Sequence, residues 1–123
     1  MRAYSTIAAL AAALAVAQPA AAADPESGQK IFKTQCGACH AVAAGRNLVG
    51  PSQFGIVGRK SGSVEGFRYS AANKAANLTW DAATLDTYLT NPKAMIPGTT
   101  MTFAGIKSAE QRADVIAYLA TLK

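Results

Sequence analysis

An all-α fold of short helices and long loops is predicted by three features of this sequence. Apolar residues recur at helical spacing near both ends of the chain. No segment alternates with the period of a strand. The two intervals between the helices are rich in glycine and proline. Half of the 123 residues are nominally hydrophobic, but much of that is alanine and only 7% are aromatic. Such a chain makes a thin core, and long loops are uncommon in small domains unless something organises them. The sequence therefore implies an apolar component, other than polypeptide, that the loops wrap around.

The first segment reads as an address. Arg2 is the only charge before Asp24, Ile7 to Ala17 is an unbroken apolar run, and Gln18-Pro19 breaks it ahead of Ala20-Ala21-Ala22-Ala23. A charged start, a short apolar stretch and small residues at the end describe a secretory signal peptide. Residues 1–23 are assigned to it, with cleavage after Ala23, and residues 24–123 to a single domain. The apolar run is shorter than the roughly 20 residues a membrane span needs. The expected product is exported, soluble and periplasmic, in a compartment where free thiols tend to be oxidised.

In the remaining chain, Glu26–Val42 reads as a first helix. In it Phe32, Cys36 and His40 are spaced four apart, which would stack them on one face. Gly45–Gly66 holds six glycines and Pro51 and has no strand pattern. A short helix is predicted at Ala71–Ala75. Thr79–Leu89 reads as the next helix, with Leu85, Tyr88 and Leu89 at i, i+3 and i+4, ended by Asn91-Pro92. Asn91–Gly105 is non-periodic. Ser108-Ala109-Glu110-Gln111 is a capping box that opens a last helix with the apolar stripe Val115, Ile116, Leu119 and Leu122.

Composition removes several classes of function. Two Cys and one His cannot make a four-ligand structural zinc site without carboxylates, and one His excludes chemistry needing two imidazoles. The formal charge is +5; without Arg2 it is +4, from 11 basic and 7 acidic groups. That excess suits acidic partners, but the basic residues are scattered, and no nucleic-acid partner is expected.

Cys36-Gly37-Ala38-Cys39-His40 is a C-x-x-C-H motif, the signature of c-type haem attachment. Two thiols at this spacing reach two vinyl groups on one haem edge, and the histidine that follows turns under the macrocycle as an axial ligand. A thiol-disulfide centre also uses C-x-x-C, but near a βαβ pattern that is absent here. With one histidine, the other common strong-field ligand is a methionine thioether. Met95 and Met101 are the candidates once Met1 is lost. Pro97-Gly98 turns the chain just before Met101, so its loop can lay a side chain across the second haem face.

On these motifs the chain resembles class I cytochrome c, most of all the small bacterial cytochrome c2 group and its mitochondrial relatives. The resemblance covers Gly28–Leu122 and rests on the haem motif, Gly50-Pro51, Gly58-Arg59-Lys60, Gly66-Phe67-Arg68-Tyr69-Ser70, Asn91-Pro92-Lys93, Ile96-Pro97-Gly98-Thr99, Met101 and the last helix. It implies a cytochrome c fold wrapped around one covalent haem c. The axial iron ligands would be His40 and Met101, and the thioethers would come from Cys36 and Cys39. Pro51 would accept the free N–H of His40. Tyr88 and Thr99 would lie near the Met101 sulfur. Arg59, Tyr69, Asn73 and Trp80 would surround the propionates, and Phe103 completes the expected cofactor-binding set. Gly28 would let the first helix cross the last near Val115 and Tyr118. Three departures stand out. Gln53 occupies a position that is usually apolar in the family, Thr100 replaces a frequent lysine, and Met95 replaces a frequent aromatic.

The resemblance implies a monomeric one-electron carrier and not an enzyme. The expected donor is a cytochrome bc1 complex. The acceptor would be a terminal oxidase, a reaction centre or a periplasmic reductase. Lys33, Lys93 and Lys107, with Lys74, would steer docking electrostatically. The competing classes are a haem enzyme or gas sensor with an open sixth iron site, and a colourless thiol oxidoreductase.

Overall fold

The computed structural model describes residues 12–15 and 22–123. Most of the segment assigned to the signal peptide lies outside the described residues. The elements in chain order are α1 (Pro25–Gln35), α2 (Ala71–Ala75), α3 (Ala82–Thr90), α4 (Pro92–Met95) and α5 (Ala109–Leu119). Among the described residues the only β pairing is an isolated bridge between Lys60 and Thr79, and no helix is long and apolar enough to cross a membrane.

Local chemistry accounts for the helix starts. Asp24 caps α1: its carboxylate accepts from the Glu26 N–H at 3.0 Å and the Ser27 hydroxyl at 2.7 Å, and Pro25 occupies the first turn. Ser70 caps α2 and Asp81 caps α3 in the same way. Of the expected α5 capping box the N-cap half forms, with Ser108 Oγ accepting from the Gln111 N–H at 3.2 Å. Ser108→Ala is expected to cost about 1 kcal/mol, read as a lower denaturant midpoint with an unchanged slope.

Three boundaries differ from expectation. The first helix stops at Gln35 rather than Val42. The N–H groups of Cys36 and Gly37 both bond to the Phe32 carbonyl, at 2.7 and 2.8 Å, and Cys36 leaves helical geometry at φ −122°. The cysteines and His40 therefore sit on a turn, with His40 N–H on the Cys36 carbonyl at 3.0 Å, and not on a continuous helical face. Gly37 suits that turn, because a Cβ there would meet the Lys33 carbonyl oxygen at 3.0 Å. The third helix begins at Ala82, not Thr79, since Thr79 and Trp80 are engaged in pairing with the 58–61 loop. The stretch read as non-periodic contains α4, a single helical turn too short to show a period.

The core is small. Its buried apolar residues among those described are Phe32, Ile56, Trp80, Leu85, Leu89, Ile96, Ile106, Val115, Tyr118 and Leu119. Helices α1 and α5 cross at Gly28, where an added Cβ would fall 1.9 Å from the Asp114 carbonyl oxygen. Phe32 and Tyr118 pack beside the crossing with ring centroids 5.6 Å apart. The Asp24 N–H adds a bond to the Asp114 carboxylate at 2.8 Å. The bridge region is a short ladder: Trp80 N–H to the Arg59 carbonyl, Gly58 N–H to the Trp80 carbonyl and Ser61 N–H to the Leu78 carbonyl, each 2.8 Å. It holds Arg59 and Trp80 next to one another.

Candidate haem site

The two thiols lie on the turn after α1 and are not joined to each other, Cys36 half-buried and Cys39 exposed. Burial, with a smaller contribution from Cys39, pushes the Cys36 thiol up to about 11. The thiol thus stays protonated at neutral pH, which disfavours a reactive thiolate centre.

His40 is held by the segment that follows it. The Gly50 N–H bonds to the Cys39 carbonyl at 2.8 Å and the Gln53 N–H to the Ala41 carbonyl at 2.9 Å. This brings the Pro51 carbonyl within 2.8 Å of His40 Nδ1. At that distance from a carbonyl, Nδ1 carries the proton, and the metal-competent nitrogen is Nε2. Burial lowers the imidazole's pKa, partly opposed by the Pro51 bond. Gly50 is required by sterics, since a Cβ there would lie 2.2 Å from His40 Cε1.

The second half of the site is built on α3 and the loop after α4. Tyr88 Oη donates to Met101 Sδ at 3.5 Å. Its ring sits 4.7 Å from that of Trp80, and burial pushes its hydroxyl up to about 12, keeping it a donor. Thr99 Oγ1 accepts from the Met101 N–H at 3.2 Å and from Asn73 Nδ2 at 3.5 Å. Thr99 thus orients the methionine's backbone, and these bonds tie α2 to the loop. Met95 is half-buried against the core. Behind the loop, Gly105 crosses the end of α3 at φ +107°, where a Cβ would meet the Thr90 carbonyl oxygen at 2.3 Å. Ile106 N–H then bonds to the Leu89 carbonyl at 2.7 Å.

The residues expected around the propionates are placed unevenly. Arg59 donates to the Ser52 carbonyl at 2.9 Å and to the Phe54 carbonyl, and it pairs with no carboxylate among the described residues. Burial lowers its pKa, partly offset by nearby Tyr69. Tyr69 Oη accepts from the Val64 N–H at 2.9 Å. Phe103 is half-buried against the core. Lys33, Lys74, Lys93 and Lys107 are all exposed, and Lys107 Nζ is in addition tied to the Thr90 and Ala104 carbonyls at 2.9 and 3.1 Å.

The buried role of Arg112 was missed in the sequence, and Gln53, noted there as a departure, finds its partners here. Arg112 is only 9% exposed; it pairs with Asp86 at 2.8 Å and donates to the Ile106 and Lys107 carbonyls at 3.0 Å each. Its signal was its place three residues before Val115, in line with the apolar stripe of α5. Gln53 turns its amide toward Pro51 and His40, at 3.1 Å from each.

These residues fit a c-type haem: two thiols on one turn, an imidazole oriented through Nδ1, and a thioether oriented by a tyrosine hydroxyl. The chain is matched over residues 25–123 by the family model described as Cytochrome c. It is 56% identical over 102 residues to cytochrome c2 of Rhodomicrobium vannielii, covering 82% of this chain and 81% of that protein. It is 48% identical over 103 residues to cytochrome c2 of Rhodoblastus acidophilus, covering 83% and 95%. It is 48% identical over 100 residues to cytochrome c of Euglena viridis, covering 81% and 98%. The chain belongs to the cytochrome c family, class I, with the fold of that family. It is an electron carrier and not an enzyme, and it carries one covalently attached haem c.

Proposed function

We propose that this chain is an exported, monomeric one-electron carrier of a respiratory or photosynthetic chain. Residues 1–23 are removed after Ala23 and residues 24–123 work in the periplasm. Cys36 and Cys39 would hold the haem through thioethers, and His40 and Met101 would ligate its iron. Bound haem supplies a reversible one-electron couple. The polypeptide supplies ligation, dielectric and a docking face.

Each residue has a definable task. Pro51 accepts a hydrogen bond from the Nδ1–H of His40, fixing the tautomer and raising the imidazole's basicity. Tyr88 holds the thioether of Met101 in place. A neutral thioether and an apolar surrounding both disfavour extra positive charge on the metal, so the reduced state is favoured relative to a second imidazole. The carbonyls of Ser52 and Phe54 hold the Arg59 guanidinium, which with Tyr69, Asn73 and Trp80 is suited to receive the propionates. A buried carboxylate needs such partners. The exposed Lys33 and Lys93, with Lys107 at the end of α3, favour acidic partners. On this reading a cytochrome bc1 complex is the donor, and a terminal oxidase, reaction centre or periplasmic reductase the acceptor. Association would slow as salt rises.

The observation that carries the ligation is the Tyr88–Met101 contact, which orients the thioether of the loop after α4. The test is the optical spectrum of the purified mature protein, with and without CO. The expected result is a low-spin ferric haem with a near-infrared sulfur-to-iron charge-transfer band, and a reduced form indifferent to CO. Met101→Ala should abolish that band and admit CO. A wild-type protein that is high-spin, or that binds CO readily, would overturn the ligation and return an open-site enzyme or sensor.

A further inference from the structure

We propose that Gln53 is a positioning residue that weakens the hydrogen bond between His40 and Pro51, and so shifts the bound haem toward its reduced state. The inference rests on the reading of His40 as an axial ligand.

Two donors converge on the Pro51 carbonyl. His40 Nδ1 stands 2.8 Å from the oxygen and Gln53 Nε2 stands 3.1 Å from it. The amide is oriented with Nε2 donating to the Pro51 carbonyl; turned the other way, its oxygen would face that carbonyl oxygen, two acceptors with no proton between them. The tautomer follows likewise, because Nδ1 must carry a proton to bond a carbonyl. Nδ1 and the Gln53 nitrogen, 3.1 Å apart, are therefore two donors side by side and not a bonded pair. The Gln53 backbone is anchored by its own N–H on the Ala41 carbonyl at 2.9 Å, which keeps the side chain within reach.

Two effects follow, and they have the same sign. A carbonyl shared between two donors is a poorer acceptor for each, so the imidazole gains less basicity from Pro51 than it would from an unshared oxygen. The amide N–H also turns the positive end of its dipole toward Nδ1, in a half-buried site where dipoles act strongly. Both disfavour added positive charge on the metal that His40 ligates. An apolar side chain at residue 53 would exert neither effect.

The test compares the mature holoprotein with Gln53→Leu and with Gln53→Met, the latter unbranched and close in volume should leucine fail to fold. At a fixed solution potential near neutral pH, the ferric-to-ferrous ratio should rise about threefold in both variants. That equals a fall of about 28 mV in reduction potential at 59 mV per tenfold for one electron. The Nδ1 proton resonance of His40 in the ferrous protein should move downfield as its bond to Pro51 strengthens. A purely structural role would lower the thermal midpoint and move neither quantity. An unchanged or raised potential in both variants, with the wild-type charge-transfer band retained, would overturn the inference alone. A wild-type spectrum without His/Met character would overturn it together with the proposed ligation.

Discussion

Gly28→Ala is expected to destabilise the holoprotein by about 3 kcal/mol, the upper part of the range for overpacking a fitted interface. Helix propensity alone predicts the opposite sign, since alanine is better than glycine in a helix by about 1 kcal/mol. The contact decides. The new Cβ would stand 1.9 Å from the Asp114 carbonyl oxygen and 2.9 Å from the Val115 nitrogen. Both are backbone atoms of α5 and cannot rotate away, so the two helices must separate. Separation would loosen the buried Phe32 and Tyr118 packing at the same time. The measurement is the guanidinium unfolding midpoint of the mature holoprotein. Lys30→Ala, on the exposed face of α1, serves as the control and should shift stability by no more than about 0.5 kcal/mol. A Gly28→Ala protein as stable as the wild type would mean that the helices do not approach as closely as described.

Arg112→Leu should cost about 3 kcal/mol, while Asp86→Ala should cost about 1 kcal/mol or less. The asymmetry follows from exposure. The Asp86 side chain is 49% exposed, so it is resolvated when its partner is lost, whereas the Arg112 side chain is 11% exposed. Removing the guanidinium also strips a donor from the Ile106 and Lys107 carbonyls, which lie where the chain turns into α5. Removing Asp86 leaves those two bonds intact. A double-mutant cycle on denaturation free energies separates the contributions. Equal losses from the two single substitutions would show that the ion pair, and not the carbonyl bonds, dominates.

The local rules of the chain were readable where they depend on neighbours in sequence. The Ala71–Ala75 helix and the Ser108–Gln111 box are of that kind, because a capping side chain acts within three residues of itself. The haem motif is equally local: five consecutive residues carry both thiols and an imidazole. The early end of α1 was less legible. Phe32, Cys36 and His40 keep i to i−4 backbone bonds across the boundary, so the helical spacing persists in the sequence although Cys36 has left the helix. The Arg112 network was hidden for a different reason. An arginine in an apolar stripe is marked by its position, but its partners, Asp86 and two loop carbonyls, are chosen by how α3 and α5 pack.

By itself the sequence determined the helical class, the side-chain caps of the short α2 and the last helix, and the chemistry of the two thiols, the imidazole and the thioether. These follow from residue type and short-range spacing. Only the tertiary structure decided that Gln53 shares the Pro51 carbonyl with His40 and that Lys107 is committed to the end of α3. The physical reason is range. A hydrogen bond between residues 11 apart, such as His40 to Pro51, or 17 apart, such as Lys107 to Thr90, depends on loop geometry fixed by packing. Neither propensity nor periodicity carries that information.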